Sequence, residues 1–453
     1  MGNTQYMSDL PLRPVHYWIL TVSSMEQIIG AALSTIVGIM IPMIVLVHHP
    51  EMGSVMQGIV GASGLVGIAL GAAVIGPISD REGYLGWFRM CPVVIIIGSA
   101  IVYFMPNNIG LISGLFIAGF GVGGGYSLDS AYISELMPDK WKLFMVGVAK
   151  GTSALGFLLP AVLCYFILKK DPSPAIWNSF AWIIGGLGVV TLLMRIRWRQ
   201  SPHWLMIKGK NQEAEEAAEF FFGKDVMIEK TAAATPSKPV ANVKMSELFK
   251  GENLKKVIFT GIPWACEGMG VYGVGVFLPV LIMALGLAPA HEHGIGSVTN
   301  SIELTAIVNF FILPGFALGL WVVNRMSHTK MLAGGFFVCS VGLLMLLAAY
   351  LLKLPAWISI VGFVIFEVFL NAGPHLVTFI LPSQVYPVEI RGTGSGIASM
   401  LGKVGAVIGV LVMPMLLKWG GITLVLIVTF LVHVIGGLIT IIYGKELTNQ
   451  KNN

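Results

Sequence analysis

Long apolar stretches recur from one end of this chain to the other, and they constrain its fold more than any other feature. Each is about twenty residues or longer, enough to cross the roughly 30 Å of hydrocarbon in a lipid bilayer as an α-helix. Charged residues make up 11% of the 453 residues, against about 25% in soluble proteins. A soluble protein with so many long apolar helices would have no surface to offer water. The sequence therefore predicts an all-α integral membrane protein.

Proline and clusters of charged residues divide the apolar sequence into twelve predicted transmembrane helices. One long polar stretch separates the sixth helix from the seventh, whereas the other connections are short. We therefore predict two pseudo-symmetric six-helix bundles. The predicted domains are a cytoplasmic tail, an N-terminal bundle, a cytoplasmic linker with short helices, a C-terminal bundle and a second cytoplasmic tail: 1–16, 17–197, 198–254, 255–444 and 445–453.

The distribution of lysine and arginine orients these helices. Most of the 28 basic residues, including a run from Arg195 to Lys256, lie in connections on the side of the two termini. The basic residues in connections on the other side are Lys169, Lys170, Lys353 and Lys418. Because cytoplasmic loops carry the excess of positive charge, we predict a multi-pass protein of the plasma (inner) membrane with both termini cytoplasmic. The net charge of +5 follows from this topology and does not indicate a nucleic-acid partner.

Short motifs at the helix ends resemble those of a known family. The loop GPISDREGYLG resembles the G-x-x-x-D-R-x-G signature of the major facilitator superfamily, at Gly76, Asp80, Arg81 and Gly83. The segment SPHWLMIKGKNQEAEE (201–216) resembles the E-S-P-R-W-L-x-x-K-G-x-x-x-E-A segment of its sugar and phosphate porters. The resemblance covers essentially the whole chain. It implies a secondary transporter, and we expect a monomer without cofactors.

The seventh and tenth helices are similar to those of the proton-coupled phosphate and organic-metabolite symporters. The phosphate porters have an asparagine at the position of His375, and aspartates at the positions of Gly125 and Gly268. Three ligand positions therefore differ, so the resemblance implies the scaffold and not phosphate as the substrate. The residues that we expect to line the substrate site are Tyr126, Trp264, Tyr272 and His375. Helix packing is the alternative for the aromatic residues of the seventh helix, which recur at helical spacing.

Ionisable side chains inside the predicted helices indicate a structural or functional role, because a charge in the apolar zone is costly unless it is paired or hydrated. Burial favours the neutral form of a carboxyl group, so such acids can take up and release protons. We predict that Glu26, Asp129 and Glu267 couple transport to protons; a structural hydrogen bond is the alternative for each. Asp129 can also form an ion pair with Lys150, either static or broken and remade during transport. Glu367 is interpreted as an interhelical polar contact.

The tenth predicted helix carries Gly373, Pro374 and His375 within a long apolar run. Glycine and proline weaken a helix, and a histidine at cavity depth can donate to a substrate, so we interpret the three as a hinge beside a ligand. A histidine satisfied within the core is the alternative. Charges at the cytoplasmic helix ends are predicted to gate the path: Asp80, Arg81, Glu135, Lys142 and Arg391. His291 and His293 stand without further ligands, and we predict no metal site.

These features favour a secondary active transporter that moves a small polar metabolite by proton symport with alternating access. The expected partners are the substrate, protons and the lipid bilayer, and the substrate classes that remain open are an organic acid, a sugar or a related anion. Two alternatives remain on the same scaffold: a proton-coupled exporter of apolar compounds and a membrane receptor that does not transport. An enzyme would need a clustered nucleophile and base or a metal set, and the sequence contains neither.

Overall fold

The computed structural model describes residues 5–48, 52–223, 226–227, 249–287, 294–386 and 391–449. This part of the chain is almost entirely helical, as predicted. Its strands are two residues long each, β1 (Gln5–Tyr6) and β2 (Val226–Met227), and they pair in parallel. Helices satisfy their backbone hydrogen bonds within one segment, which is what a chain in lipid requires.

The first half of the chain and the stretch after it form ten helices. They are α1 (Pro14–Val22), α2 (Met25–His48), α3 (Ser54–Glu82), α4 (Tyr84–Phe104), α5 (Asn108–Leu136), α6 (Lys142–Gly151), α7 (Ser153–Lys170), α8 (Ala181–Arg195), α9 (Pro202–Ile207) and α10 (Asn211–Phe222). Two 3-10 helical segments accompany them, Met7–Asp9 and Pro174–Phe180.

The second half of the chain forms eight further helices. They are α11 (Gly251–Gly268), α12 (Leu278–Ala284), α13 (Ile295–Phe310), α14 (Ile312–Val322), α15 (His328–Leu351), α16 (Ala356–Ala372), α17 (Pro374–Val385) and α18 (Arg391–Asn449). A π-helical segment, Met269–Val274, continues α11. Segments of this kind are rare and often mark functional positions within a longer helix.

The described residues account for twelve membrane spans. Ten stretches of helix are long and apolar enough to cross a bilayer, and the pair Gly251–Val274 with Leu278–Ala284, bent by 66°, supplies another. Helix α18 is interrupted at Gly420 and Gly421, so it counts as two spans. Gly421 has φ of 63°, in the left-handed region that glycine adopts without steric cost. The predicted fold class is confirmed.

Contacts between Cα atoms divide the chain into two compact units. The first unit consists of Met1–Leu33, Val66–Gly156 and Ala181–Pro239, and the second consists of Ser34–Leu65, Phe157–Phe180 and Val240–Asn453. The boundary between the two units therefore falls inside the spans of α2, α3 and α7.

An aromatic core organises the first unit. The rings of Phe88 and Tyr132 lie 4.5 Å apart, and those of Tyr132 and Trp198 lie 5.9 Å apart. Met7 from the N-terminal segment and Phe221 from α10 are buried in the same cluster. The N-terminal segment and the helices after α8 thus cover the ends of the spans in this unit, and they shield its interior from water.

Candidate functional site

A buried cluster of two carboxylates and one guanidinium group lies in the first unit; we call Glu26, Asp129 and Arg195 the carboxylate–arginine cluster. Arg195 donates hydrogen bonds to both carboxylate oxygens of Glu26, and its Nη2 donates to Oδ1 of Asp129 at 3.1 Å. The guanidinium also donates to the backbone oxygens of Val22 at 2.9 Å and Phe88 at 3.0 Å. The three residues are at most 2% exposed. Such burial is tolerable only because the charges are paired and hydrogen-bonded.

Helix α4 holds the arginine in place from two sides. The ring of Phe88 lies 3.5 Å from the guanidinium carbon of Arg195, a cation–π contact. The next residue, Arg89, donates to the backbone oxygens of Arg195 at 3.1 Å, Ile196 at 2.7 Å and Trp198 at 2.8 Å. These carbonyls lie at the C-terminal end of α8, where helix carbonyls have no partner within the helix and attract a cation. Arg89 therefore fixes the backbone that carries Arg195.

Glycine on α5 makes room for the acid on α2. A Cβ atom at Gly125 would lie 2.2 Å from Cγ of Glu26, so any side chain at this position would displace the carboxylate. The next residue, Tyr126, packs its hydroxyl group against Gly30 of α2, where a Cβ would lie 2.0 Å from the phenol oxygen. The predicted substrate residue Tyr126 thus lies beside the predicted proton residue Glu26.

The cluster contains one more acid than base. The charged groups of Glu26 and Arg195 act on Asp129, and Oδ2 of Asp129 has no hydrogen-bond partner among the described residues. With all three groups ionised the cluster carries one net negative charge in a buried position. A single proton on either carboxyl group makes it neutral, so the geometry suits the binding and release of one proton.

A second ionisable pair lies in the second unit. Nδ1 of His375 is hydrogen-bonded to Oε1 of Glu267, and both side chains are buried. His375 follows the break between α16 and α17 at Gly373, where φ is −113° and ψ is −89°. Glu267 is the second-last residue of α11, two residues before the π-helical segment begins at Met269. The two residues that the sequence predicts separately, one for protons and one for substrate, therefore form a single carboxylate–imidazole pair.

Aromatic and cationic side chains accompany this pair on α11 with its π-helical continuation, on α17 and on α18. The ring of Trp264 lies 6.3 Å from that of Phe379 in an edge-on arrangement. The ammonium group of Lys403 lies 5.3 Å from the centre of the Tyr272 ring, a cation–π contact. Tyr272 belongs to the π-helical segment, so its position depends on the local change of helical register.

The charged residues predicted to form a gate lie at the ends of α3, α5 and α6. Glu135 accepts hydrogen bonds from the hydroxyl groups of Tyr84, at 3.0 Å, and Ser201. The backbone oxygen of Asp80 accepts from Nε1 of Trp204 at 3.2 Å, while the side chains of Asp80 and Arg81 are exposed. Lys142 forms an ion pair with Asp139 at 2.5 Å. The side chain of Arg391 lies outside the described part of the chain, as do His291 and His293, and the gating role stays a prediction.

Comparison with known proteins decides the family. A family profile described as "Sugar (and other) transporter" matches residues 23–451. The chain belongs to this transporter family. The match confirms the resemblance to the major facilitator superfamily that the loop and linker motifs indicate. A member of this family is a membrane transporter and not an enzyme.

Relatives of this transporter match it over nearly its whole length. The inner membrane metabolite transport protein YgcS of Escherichia coli is 25% identical over 445 residues, which cover 97% of this chain and 94% of YgcS. The niacin transporter NiaP of Acinetobacter baylyi is 24% identical over 444 residues, 97% of this chain and 96% of NiaP. The xylose transporter XylE of E. coli, in a partially occluded inward-open conformation, superposes with a TM-score of 0.78 at 17% identity, over 94% of this chain and 97% of XylE. Identity at that level supports the common fold alone.

The sequence identifies the buried acids of this transporter but not their main partner. The sequence places Arg195 in a basic run on the cytoplasmic side, whereas the structure buries Arg195 between Glu26 and Asp129. One signal was present: Arg195 is the first cation after an uninterrupted apolar stretch, so it continues the helix of the sixth span. The ion pair of Asp129 with Lys150 stays a prediction.

Proposed function

We propose that this transporter moves a small polar metabolite together with a proton by alternating access. The observation that carries the proposal is the carboxylate–arginine cluster, in which two buried acids share one guanidinium group. Because a net buried charge is costly, the cluster favours binding one proton while it is shielded from water. The proton can leave only when a conformational change exposes the cluster, which couples proton release to transport.

The contacts favour Asp129 as the acid that takes the proton. Glu26 accepts hydrogen bonds on both oxygens from Arg195, the bidentate arrangement in which a guanidinium binds a carboxylate most strongly. Asp129 accepts from Arg195 through Oδ1 alone, and its Oδ2 has no hydrogen-bond partner among the described residues. Protonation at Oδ2 would leave every contact of the guanidinium in place. Glu26 then acts as the fixed counter-ion of Arg195.

The second unit offers groups suited to the substrate. The Glu267–His375 pair, the ring of Trp264 and the Lys403–Tyr272 contact combine a proton donor, aromatic faces and a cation. These groups favour an anionic metabolite among the open substrate classes, because both the imidazole and the ammonium group can donate to a carboxylate. The names of the relatives, which include a metabolite transport protein and a niacin transporter, support a small polar substrate. We expect a monomer of the inner membrane with both termini in the cytoplasm.

Reconstituted proteoliposomes test the proposal. Uptake of labelled organic acids, nicotinate and sugars is measured with an inwardly directed proton gradient, for the wild type and for Asp129→Asn. The wild type should accumulate its substrate above the external concentration, and Asp129→Asn should only equilibrate it. Glu367→Gln is the matched control, because Glu367 is also buried but its partner, Asn371, lies on the same helix; it should behave as the wild type.

Two outcomes would overturn the proposal. In the first, Asp129→Asn accumulates substrate as strongly as the wild type. In the second, uptake by the wild type is unchanged when the proton gradient is collapsed. Counterflow separates the remaining alternatives. A receptor would bind a ligand without exchanging label across the membrane, and an exporter of apolar compounds would exchange those compounds and not the polar panel.

A further inference from the structure

Within the second unit, helix backbones approach each other at glycine positions. A Cβ atom at Gly38 of α2 would lie 1.8 Å from the carbonyl oxygen of Val276, and one at Gly58 of α3 would lie 2.5 Å from that of Leu411. Gly38 and Gly58 belong to the first two spans, whereas their partners belong to spans of the second half. Contacts this close leave no space for water or solute between the helices. This end of α2 and α3 is therefore sealed against the second half of the chain.

A buried polar side chain bridges the two halves in the same region. Asn309 of α13 donates from Nδ2 to the backbone oxygen of Phe157 in α7 at 2.9 Å. The hydroxyl group of Thr35 in α2 donates to the same oxygen at 3.4 Å. Asn309 and Thr35 are 5% and 4% exposed. Pro160 lies inside α7, and its missing N–H group weakens the helical hydrogen bonding next to Phe157.

We propose that Asn309 is the latch of the gate that closes this end of the transport path. Its hydrogen bond joins a span of the second half to a span of the first half, so the bond exists only while the two are in contact. A buried amide without a partner is costly, and the bond to Phe157 therefore adds to the stability of the closed gate. In the opposite conformation the gate opens, and water takes the place of the Phe157 carbonyl.

Thr305 shows the contrast on the same helix. Its hydroxyl group is also buried, but it donates to the backbone oxygen of Ser301, one turn earlier in α13, at 2.7 Å. A bond within one helix survives when the halves separate, so it contributes equally to both conformations. A ligand or contact that is equal in two states shifts no equilibrium between them. Thr305→Val is therefore a matched control for Asn309→Leu.

A buried cysteine can report the opening of this gate. Val410 of α18 is fully buried, and its Cγ1 atom lies 2.7 Å from where a Cβ at Gly61 of α3 would be. We would introduce Val410→Cys and measure its labelling by a membrane-impermeant maleimide in lipid nanodiscs. Asn309→Leu should raise the labelling rate roughly threefold to tenfold, the range expected for loss of one interhelical hydrogen bond in a membrane protein. Thr305→Val should leave it unchanged.

The latch would be refuted if Asn309→Leu did not raise the labelling rate above that of the protein with Val410→Cys alone. It would also be refuted if Thr305→Val raised the rate as much as Asn309→Leu. Should Asn309→Leu fail to fold, Asn309→Ser provides the same comparison, because it also removes the amide donor to the backbone oxygen of Phe157. The measurement uses neither substrate nor a proton gradient. A labelling result that contradicts the latch would therefore not affect the proposed proton coupling. An uptake result that contradicts proton coupling would not affect the latch.

Discussion

Removal of Arg195 alone should destabilise the protein more than removal of all three ionisable groups of the cluster. Arg195→Met leaves Glu26 and Asp129 facing each other without a cation. Breaking a buried ion pair by deleting one partner costs about 3–5 kcal/mol. The two carboxylates bind the same nitrogen and so lie within about 5 Å of each other, where unit charges repel by about 3 kcal/mol at an effective dielectric constant of about 20. We expect Arg195→Met to lower the free energy of unfolding by at least ~3 kcal/mol.

The triple variant Arg195→Met, Glu26→Gln, Asp129→Asn should recover at least half of that loss. It buries no charge, and its two amide groups can donate to the backbone oxygens of Val22 and Phe88, which the guanidinium satisfies in the wild type. The effects of substitutions in one hydrogen-bonded network are not additive. The test is whether the triple variant is more stable than Arg195→Met alone. The restored stability would identify uncompensated charge, and not lost packing, as the cause of the damage.

Thermal unfolding in detergent, followed by tryptophan fluorescence at one fixed scan rate, measures the effect. Arg81→Met is the control: Arg81 is an exposed cation, and its removal should change the stability by no more than ~0.5 kcal/mol. Uncompensated charge is refuted as the cause if the triple variant unfolds at the same temperature as Arg195→Met or below it. If Arg195→Met unfolds together with the wild type, the cluster contributes nothing to the stability of the folded state.

Four further variants test the surroundings of the carboxylate–arginine cluster and the Glu267–His375 pair. Gly125→Ala places a methyl group against Glu26 and should destabilise the protein by about 1–3 kcal/mol, measured as a lower Tm and as reduced proton-driven uptake. Arg89→Lys cannot reach three carbonyls at once, so we expect a loss of about 1–2 kcal/mol in the same unfolding assay. His375→Leu leaves Glu267 buried without its imidazole partner; substrate-dependent stabilisation of the protein against heat should be lost, whereas Glu267→Gln with His375 intact should keep part of it.

The fold could be predicted from the sequence because its signals are local. A span is a run of apolar residues about twenty long, and its ends are marked by charge or proline, as in the loop that carries Asp80 and Arg81. Glu26, Asp129, Glu267 and His375 stand out for the same reason, since each interrupts an apolar run. An embedded ionisable residue is visible in one helix at a time.

The pairings could not be predicted, because they depend on elements far apart in the chain. Arg195 is buried by the ring of Phe88 on α4 and by a core that includes Trp198 and, from α10, Phe221. Without these contacts the same residue at the end of a span would be an exposed cytoplasmic cation, which is what the sequence predicts for Arg195. The partnership of Glu267 with His375 likewise needs the break at Gly373, whose effect on the direction of α17 is a property of the packed structure.

The position of Gly125 connects the family resemblance to the geometry. The related phosphate porters have an aspartate at this position, and its absence here looks at first like the loss of a proton group. A Cβ atom at Gly125 would collide with Cγ of Glu26, so an acid at position 125 and the present conformation of Glu26 cannot coexist. The space beside Tyr126 holds a carboxyl group in this chain, and α2 supplies it through Glu26. The glycine at 125 and the glutamate at 26 are therefore one feature of the site, and neither can be interpreted from the sequence without the other.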